Sequence, residues 1–263
     1  MQSTTFTQLM NSLNNVNDKK RGATIPDSWL QGRTAYGGLS AALCLKAVEL
    51  DYPELPPLRS AQINFLGPTN GEVNVDTKLL RQGKSVSFIS AELISTKGLA
   101  TTATFCFGRA RESSLNRDLI TADNIPDIND TIKFKGSETP RFLENFDSLF
   151  AKGELPFSKS EKSEQYFWAR HRDPKAQGAV ALLALADVPP PALFAMLAKP
   201  PKISSMTWML NFTNSEIKTE DGWWQIRCTT EHVREGYSSQ DMTLWNKTGD
   251  LVISSRQNVA YFE

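Results

Sequence analysis

The spacing of apolar and polar positions changes period several times along this chain, and the changes delimit its elements. From Gly37-Gly38, small residues and leucines recur at helical spacing through LSAALCLKAVEL until Tyr52-Pro53, which predicts a long, mostly buried helix. After Pro56-Pro57 the period falls to two. Residues 58–66, 72–81, 85–95 and 100–110 alternate, are rich in β-branched side chains and are separated by Gly67-Pro68, Gly83 and Lys97-Gly98. They read as four strands with short turns. One helix followed by successive strands predicts an α+β layer, a helix lying across an antiparallel sheet. Ahead of it, Phe6, Leu9, Met10 and Leu13 mark one short packing helix in an otherwise polar start.

The same order then returns. Residues 111–163 are polar and irregular, punctuated by Pro126, Gly136, Pro140, Gly153 and Pro156, and read as a connection in which Phe142, Phe146, Leu149 and Phe150 dock one short helix. Beyond it come a short strand at Tyr166–Arg170, a helix at Gly178–Ala198, and strands at 203–212, 223–234, 237–246 and 251–262. Arg81-Gln82-Gly83-Lys84-Ser85 is answered by Arg234-Glu235-Gly236-Tyr237-Ser238, and Asn64-Phe65 by Asn211-Phe212, at corresponding places in the two halves. This points to an internal duplication, with units at 1–112 and 164–263 joined by 113–163. Two such units should join their sheets side by side, because each would otherwise leave an edge strand unpaired.

Composition narrows the partners. Hydrophobic residues make up 40% of 263, enough for a proper core, and Lys plus Arg equals Asp plus Glu at 29 each. No basic excess asks for nucleic acid or an anionic membrane surface. The start, MQSTTFTQLMNSLNN, lacks a charged n-region and apolar core, and no apolar run is long enough for a membrane span. Cys44, Cys106 and Cys228 are scattered without metal spacing, so a reducing, cytoplasmic setting is expected.

The candidate chemistry begins in the second helical run. Between Lys175 and Lys199 the sole ionisable side chain is Asp187. An unpaired buried carboxylate costs several kcal/mol, so it needs a partner, water or a task. The alternative is that Asp187 ends a turn before Pro189-Pro190-Pro191 and faces solvent. No Gly-x-Ser-x-Gly elbow occurs. His171 and His232 lie in charged surroundings, ARHRD and TEHVRE, and read as surface residues, which leaves little material for a histidine triad or metal site. Trp223-Trp224 read as core and edge packing.

Gly32 ahead of Tyr36-Gly37-Gly38, the strand end Phe65-Leu66-Gly67-Pro68, and Leu80-Arg81-x-Gly83-x-Ser85 together resemble the double-hotdog acyl-CoA thioesterases of the thioesterase II (TesB-like) type, over about Trp29 to Phe262. The resemblance implies two hotdog folds, each a long helix wrapped by an antiparallel sheet, with the sheets joined into one. It also implies hydrolysis of a small-molecule acyl-CoA by an Asp, a Thr or Ser, and a Gln from the second half, without a cofactor or metal. The Asp carries over to Asp187 and the Gln to Gln257. Ser205 falls on the family's Thr, and Thr207 on its acid position. Period-two alternation sets Ser205 and Thr207 on one face, opposite Met206, Trp208 and Leu210, so Thr207 is a substitute hydroxyl. Gln257-Asn258-Val259 departs from the family's Gln-Glu-Gly.

Gly37 and Gly38, at a helix start, suit an oxyanion. Arg81, Lys84 and Arg234, on glycine-led turns, are candidates for CoA phosphates or, structurally, for solvating the bends. The first-half helix carries no carboxylate until Glu49, so one hydrolytic site per chain is expected. A non-catalytic acyl-CoA or acyl-carrier binding protein is the alternative, a hotdog dehydratase with an Asp-His pair fits less well, and a homodimer or higher homo-oligomer is the expected assembly.

Overall fold

The computed structural model describes residues 4–133 and 139–262. A short helix α1 (Phe6–Asn11) precedes strands β1 (Asn14–Asn17) and β2 (Lys20–Ile25), helix α2 (Gly37–Asp51), and strands β3 (Leu58–Phe65), β4 (Gly71–Gln82), β5 (Val86–Ser95) and β6 (Gly98–Gly108). The second half adds β7 (Ile132–Lys133), β8 (Phe146–Gly153), β9 (Gln165–His171), helix α3 (Gly178–Ala186), and strands β10 (Lys202–Phe212), β11 (Trp224–Arg234), β12 (Tyr237–Asn246) and β13 (Leu251–Phe262).

All thirteen of these strands form one antiparallel sheet in the order β1-β2-β4-β5-β6-β3-β10-β13-β12-β11-β9-β8-β7. Read outward from the β3–β10 junction, the two sides repeat: β3, β6, β5, β4, β2 on one, and β10, β13, β12, β11, β9 on the other. The match extends to irregularities. The β3–β6 ladder shifts register between Leu58 and Ser60, and the β10–β13 ladder shifts between Ser205 and Thr207. Asn64 and Asn211 each stand four residues beyond the later residue of that pair. The duplicated halves are thus joined through a continuous ladder, Thr207 opposite Asn64 and Asn211 opposite Ser60.

Helices α2 and α3 lie together against the sheet, the start of α2 beside the end of α3. Both are apolar nearly all round, as a helix enclosed on several sides must be. Residues Leu39–Leu45 of α2 and Ala181–Ala186 of α3 are all buried. Tyr36 hydroxyl donates to the Ala184 carbonyl at 3.3 Å, and a Cβ built on Gly38 would come within 2.6 Å of that same oxygen. A side chain there would push the helices apart, so glycine is required by the approach itself.

Several expectations are corrected. The second helix stops at Ala186 instead of Ala198, because Pro189 to Pro191 lack N–H groups and force the preceding residues from helical angles; a 3-10 turn follows at Ala192–Ala195. The connection contains a strand: Phe146, Leu149 and Phe150 belong to β8, paired with β9, and the short helix is only the 3-10 turn Arg141–Asn145. Strands β1 and β2 are additions to the expected order: NNVN and KRGATI hold only Val16, Ala23 and Ile25 as apolar side chains, too few to show a period of two. His171 is wedged between the rings of Phe6 and Phe146, at 4.7 and 4.6 Å, with Nε2 bonded to the Ala181 carbonyl at 2.8 Å. Burial pulls its pKa down to about 4, whereas His232 is exposed as expected. Among the described residues no helix is long and apolar enough to cross a membrane.

Candidate active site

The end of α3 delivers Asp187 to the start of α2. The helix ends at Asp187 because the prolines follow, and its carboxylate then turns toward Gly38 in place of solvent. Gly38 N–H donates to Oδ2 at 2.7 Å and the Gln257 side-chain amide donates to Oδ1 at 2.9 Å. Tyr36, the residue ahead of α2, makes no side-chain cap, so Asp187 supplies from the other half the acceptor that α2 lacks. Part of the residue remains open at the surface, while the carboxylate itself is closely surrounded. Desolvation raises its pKa to about 6, against the bonds from Gln257 and Gly38, which lower it.

Gln257 is itself held. Its Oε1 accepts from the Gln240 amide at 2.7 Å, and Gln240 Oε1 accepts from the Ala192 backbone N–H at 3.0 Å. A backbone N–H can only donate, so the chain has one polarity: Ala192 fixes which end of Gln240 is oxygen, Gln240 fixes Gln257, and Gln257 must present N–H to Asp187. Both oxygens of Asp187 are therefore acceptors, as suits an ionised carboxylate. Gln240 and Gln257 are cross-strand partners on β12 and β13, each 2% exposed. The proline cluster finds a use here, since it precedes the turn that aims the Ala192 N–H.

Ser205 joins this group: Gln257 Nε2 lies 3.3 Å from its Oγ. Thr207 does not. Two residues of β10 oppose one of β13 between Ser205 and Thr207, and this bulge reverses the alternation. Ser205 therefore turns to the inner side with Trp208 and Leu210, and Thr207 is exposed. The expectation that the two hydroxyls share a face, and that Thr207 can substitute, is corrected by that one extra residue.

The glycines are close to the site, but differently from the expectation. Gly38 N–H is engaged by Asp187 and is not an open donor. A Cβ on Gly37 would lie 2.9 Å from both Asp187 Oδ2 and Phe65 Cζ, so no side chain fits; its N–H, in the first turn, has no intrahelical acceptor. Arg81 and Lys84 are not brought to the site. Their hairpin adjoins Pro57 and Gly108 at the start of β3, whereas Phe65, at the site, ends that strand; eight residues at ~3.3 Å each separate them by roughly 25 Å. Arg234 lies at the site's end of the sheet, exposed, on a two-residue turn whose Glu235 and Gly236 both have positive φ. The matching first-half loop is longer, since Gln82 pairs with Ser87.

The duplication allows an internal comparison. The register that equates Asn64 with Asn211 equates Ser205 with Leu58, Gln257 with Phe105 and Gln240 with Ile89. Counted from the first residue of each helix, Asp187 corresponds to Lys46. Leu58, Ile89 and Phe105 are buried and apolar. Polar residues are gathered at one of two equivalent places. Gln240, missed in the sequence, was detectable only as the cross-strand neighbour of Gln257.

Two helices side by side within one continuous antiparallel sheet define a double hotdog, and solved structures agree. A hot dog fold protein from Alicyclobacillus acidocaldarius aligns at TM-score 0.88 with 20% identity over 97% of both chains. The acyl-CoA thioesterase II TesB2 of Mycobacterium marinum aligns at 0.77 with 16% identity over 97% of both. The tesB protein of Mycobacterium avium subs paratuberculosis aligns at 0.81 with 15% identity, over 98% of this chain and 100% of that one. No curated protein matches in sequence. The chain belongs to the acyl-CoA thioesterase family: residues 25–108 match its N-terminal domain and 122–261 its C-terminal domain.

Proposed function

We propose that the chain hydrolyses acyl-CoA thioesters to a carboxylic acid and CoA, using a water activated by Asp187. One observation carries the reading: a carboxylate with a raised pKa, both oxygens held by donors of fixed polarity, stands in the same hydrogen-bonded group as the hydroxyl of Ser205. Because Ser205 Oγ accepts from Gln257, its own proton is free to point at a water. A water that accepts from Ser205 and donates to Asp187 keeps a lone pair for the thioester carbonyl. Asp187 takes the water's proton as the C–O bond forms, and the Gly37 N–H, which Asp187 does not engage, is the donor for the oxygen that gains charge. Collapse breaks the C–S bond, and the proton held by Asp187 passes to the departing CoA thiolate.

Release of free thiol from acyl-CoAs of graded chain length tests this directly. Asp187→Asn should lower kcat about a hundredfold or more while circular dichroism stays unchanged; a variant keeping over about a tenth of wild-type activity excludes Asp187 as the base. The second reading, binding without turnover, draws on the bond from Gly38, which gives Asp187 a structural task as the missing cap of α2. Acyl-CoA binding by the wild type with no thiol released would establish it.

A further inference from the structure

With Arg81 and Lys84 at the far end of the sheet, Arg234 is the one expected cation at the site's end, and one exposed guanidinium is too little for the several phosphates of an acyl-CoA. A groove of about 620 Å³ is lined by Asp27, Leu30, Gly32, Arg33, Thr34, Pro68, Asn70, Lys97 and Arg141. Three cations face it and one acid. No salt bridge among the described residues engages Arg33, Lys97 or Arg141, all three of which are exposed. They come from three separate segments: the loop before α2, the β5–β6 turn, and the 3-10 turn before β8. Cations brought together by the fold without a salt bridge among the described residues suit phosphate oxygens.

The groove also borders the candidate active site. Its wall is Thr34 and the Pro68 loop, tied together by Ala35 N–H to Thr69 O at 2.7 Å and by Thr69 N–H to Thr34 Oγ1 at 2.8 Å. Along one side of that wall the chain runs from Thr34 to Tyr36 and Gly38, which holds Asp187. Along the other, Phe65, packed on Gly37, stands three residues before Pro68. A ligand with a polyanionic head in the groove therefore has its tail directed at the start of α2.

We propose that this groove binds the phosphates of the CoA nucleotide, through Arg33, Lys97 and Arg141, while the thioester lies at Asp187. The proposal rests on acyl-CoA being the substrate. It assigns the nucleotide to a place that also explains Gly32: its φ of +67° forms the turn that presents Arg33.

The test compares an acyl-CoA with the same acyl group on pantetheine, which carries the reacting thioester without phosphates. In the full-length variant Arg33→Glu, Lys97→Glu, Arg141→Glu, the ratio of kcat/KM for acyl-CoA to that for acyl-pantetheine should fall at least about tenfold. Calorimetric binding of free CoA should weaken alongside it. Arg81→Glu, Lys84→Glu should leave both measurements unchanged. Loss of equal size on both substrates, or an unchanged ratio and unchanged CoA binding, overturns the groove. So does a variant that loses only activity on an acyl-carrier protein, since the groove would then meet that protein's acidic surface. If the wild type releases thiol from neither small substrate, the hydrolytic reading fails, and CoA calorimetry still decides the groove by itself.

Discussion

Asp187 sits under opposing influences. Removal from water favours the neutral acid; two N–H donors favour the carboxylate, and the balance raises the pKa to about 6. As the proposed base, Asp187 acts in its ionised form, so kcat/KM should be level above about pH 6 and fall roughly tenfold per unit below it; a profile flat down to about pH 4 would contradict the proposal. Stability runs the other way. Between about pH 4 and pH 6 the folded protein keeps a proton that the unfolded chain has released, so this group's contribution falls as pH rises through the window. At neutral pH ionisation costs the fold about 3 kcal/mol at most. Asp187→Asn should therefore gain on the wild type in denaturant unfolding at pH 7 relative to pH 4, and an equal difference at both pH values would count against the shift. The residue type and its isolation in an apolar run were legible from sequence. Its partners were not, since Gly38 lies 149 positions away and Gln257 70.

At the scale of elements, strand β10 shows how a single extra residue redistributes chemistry. A strict alternation puts positions 205 and 207 together; the bulge separates them, sending the Ser205 hydroxyl to Gln257 and leaving Thr207 to solvent. Thr207→Ala should then alter activity by no more than about twofold, the range of ordinary surface substitutions. Ser205→Ala should lower kcat by on the order of tenfold or more through loss of the hydroxyl proposed to orient the water. The reverse ranking, read by thiol release, would show that the bulge does not set the active face. Helix α3 teaches the complementary point. Pro189 to Pro191 were legible as a stop, but the composition around Asp187 remained apolar past them, which made the helix look longer than backbone geometry allows.

The whole molecule is two copies of one unit in which the copies have diverged at matched positions. Asp187, Ser205, Gln240 and Gln257 stand where the first half has Lys46, Leu58, Ile89 and Phe105, so the chain has polar machinery at one of its two pseudo-equivalent places. That machinery still depends on the other half, because Gly38 binds the carboxylate. Gly38→Ala tests the dependence: a Cβ 2.6 Å from the Ala184 carbonyl and 2.9 Å from Asp187 Cβ must displace one helix from the other. Overpacking of this kind costs about 1–3 kcal/mol, so the unfolding midpoint should drop and activity should fall with it. A stable, fully active variant would show that the helices can separate without disturbing the site.

The sequence by itself determined the layer type, the duplication, nearly every long strand, and the identity of the isolated acid. These are written in local periods and turn residues, which neighbouring positions enforce on one another. Only the tertiary structure decided which groups meet. The bulge that turns Ser205 inward, the donor polarity running from Ala192 through Gln240 to Asp187, and the distance that removes Arg81 and Lys84 from the site all arise from contacts between segments remote in the chain. Such contacts depend on how ladders register and helices approach, quantities that no local pattern of residues specifies.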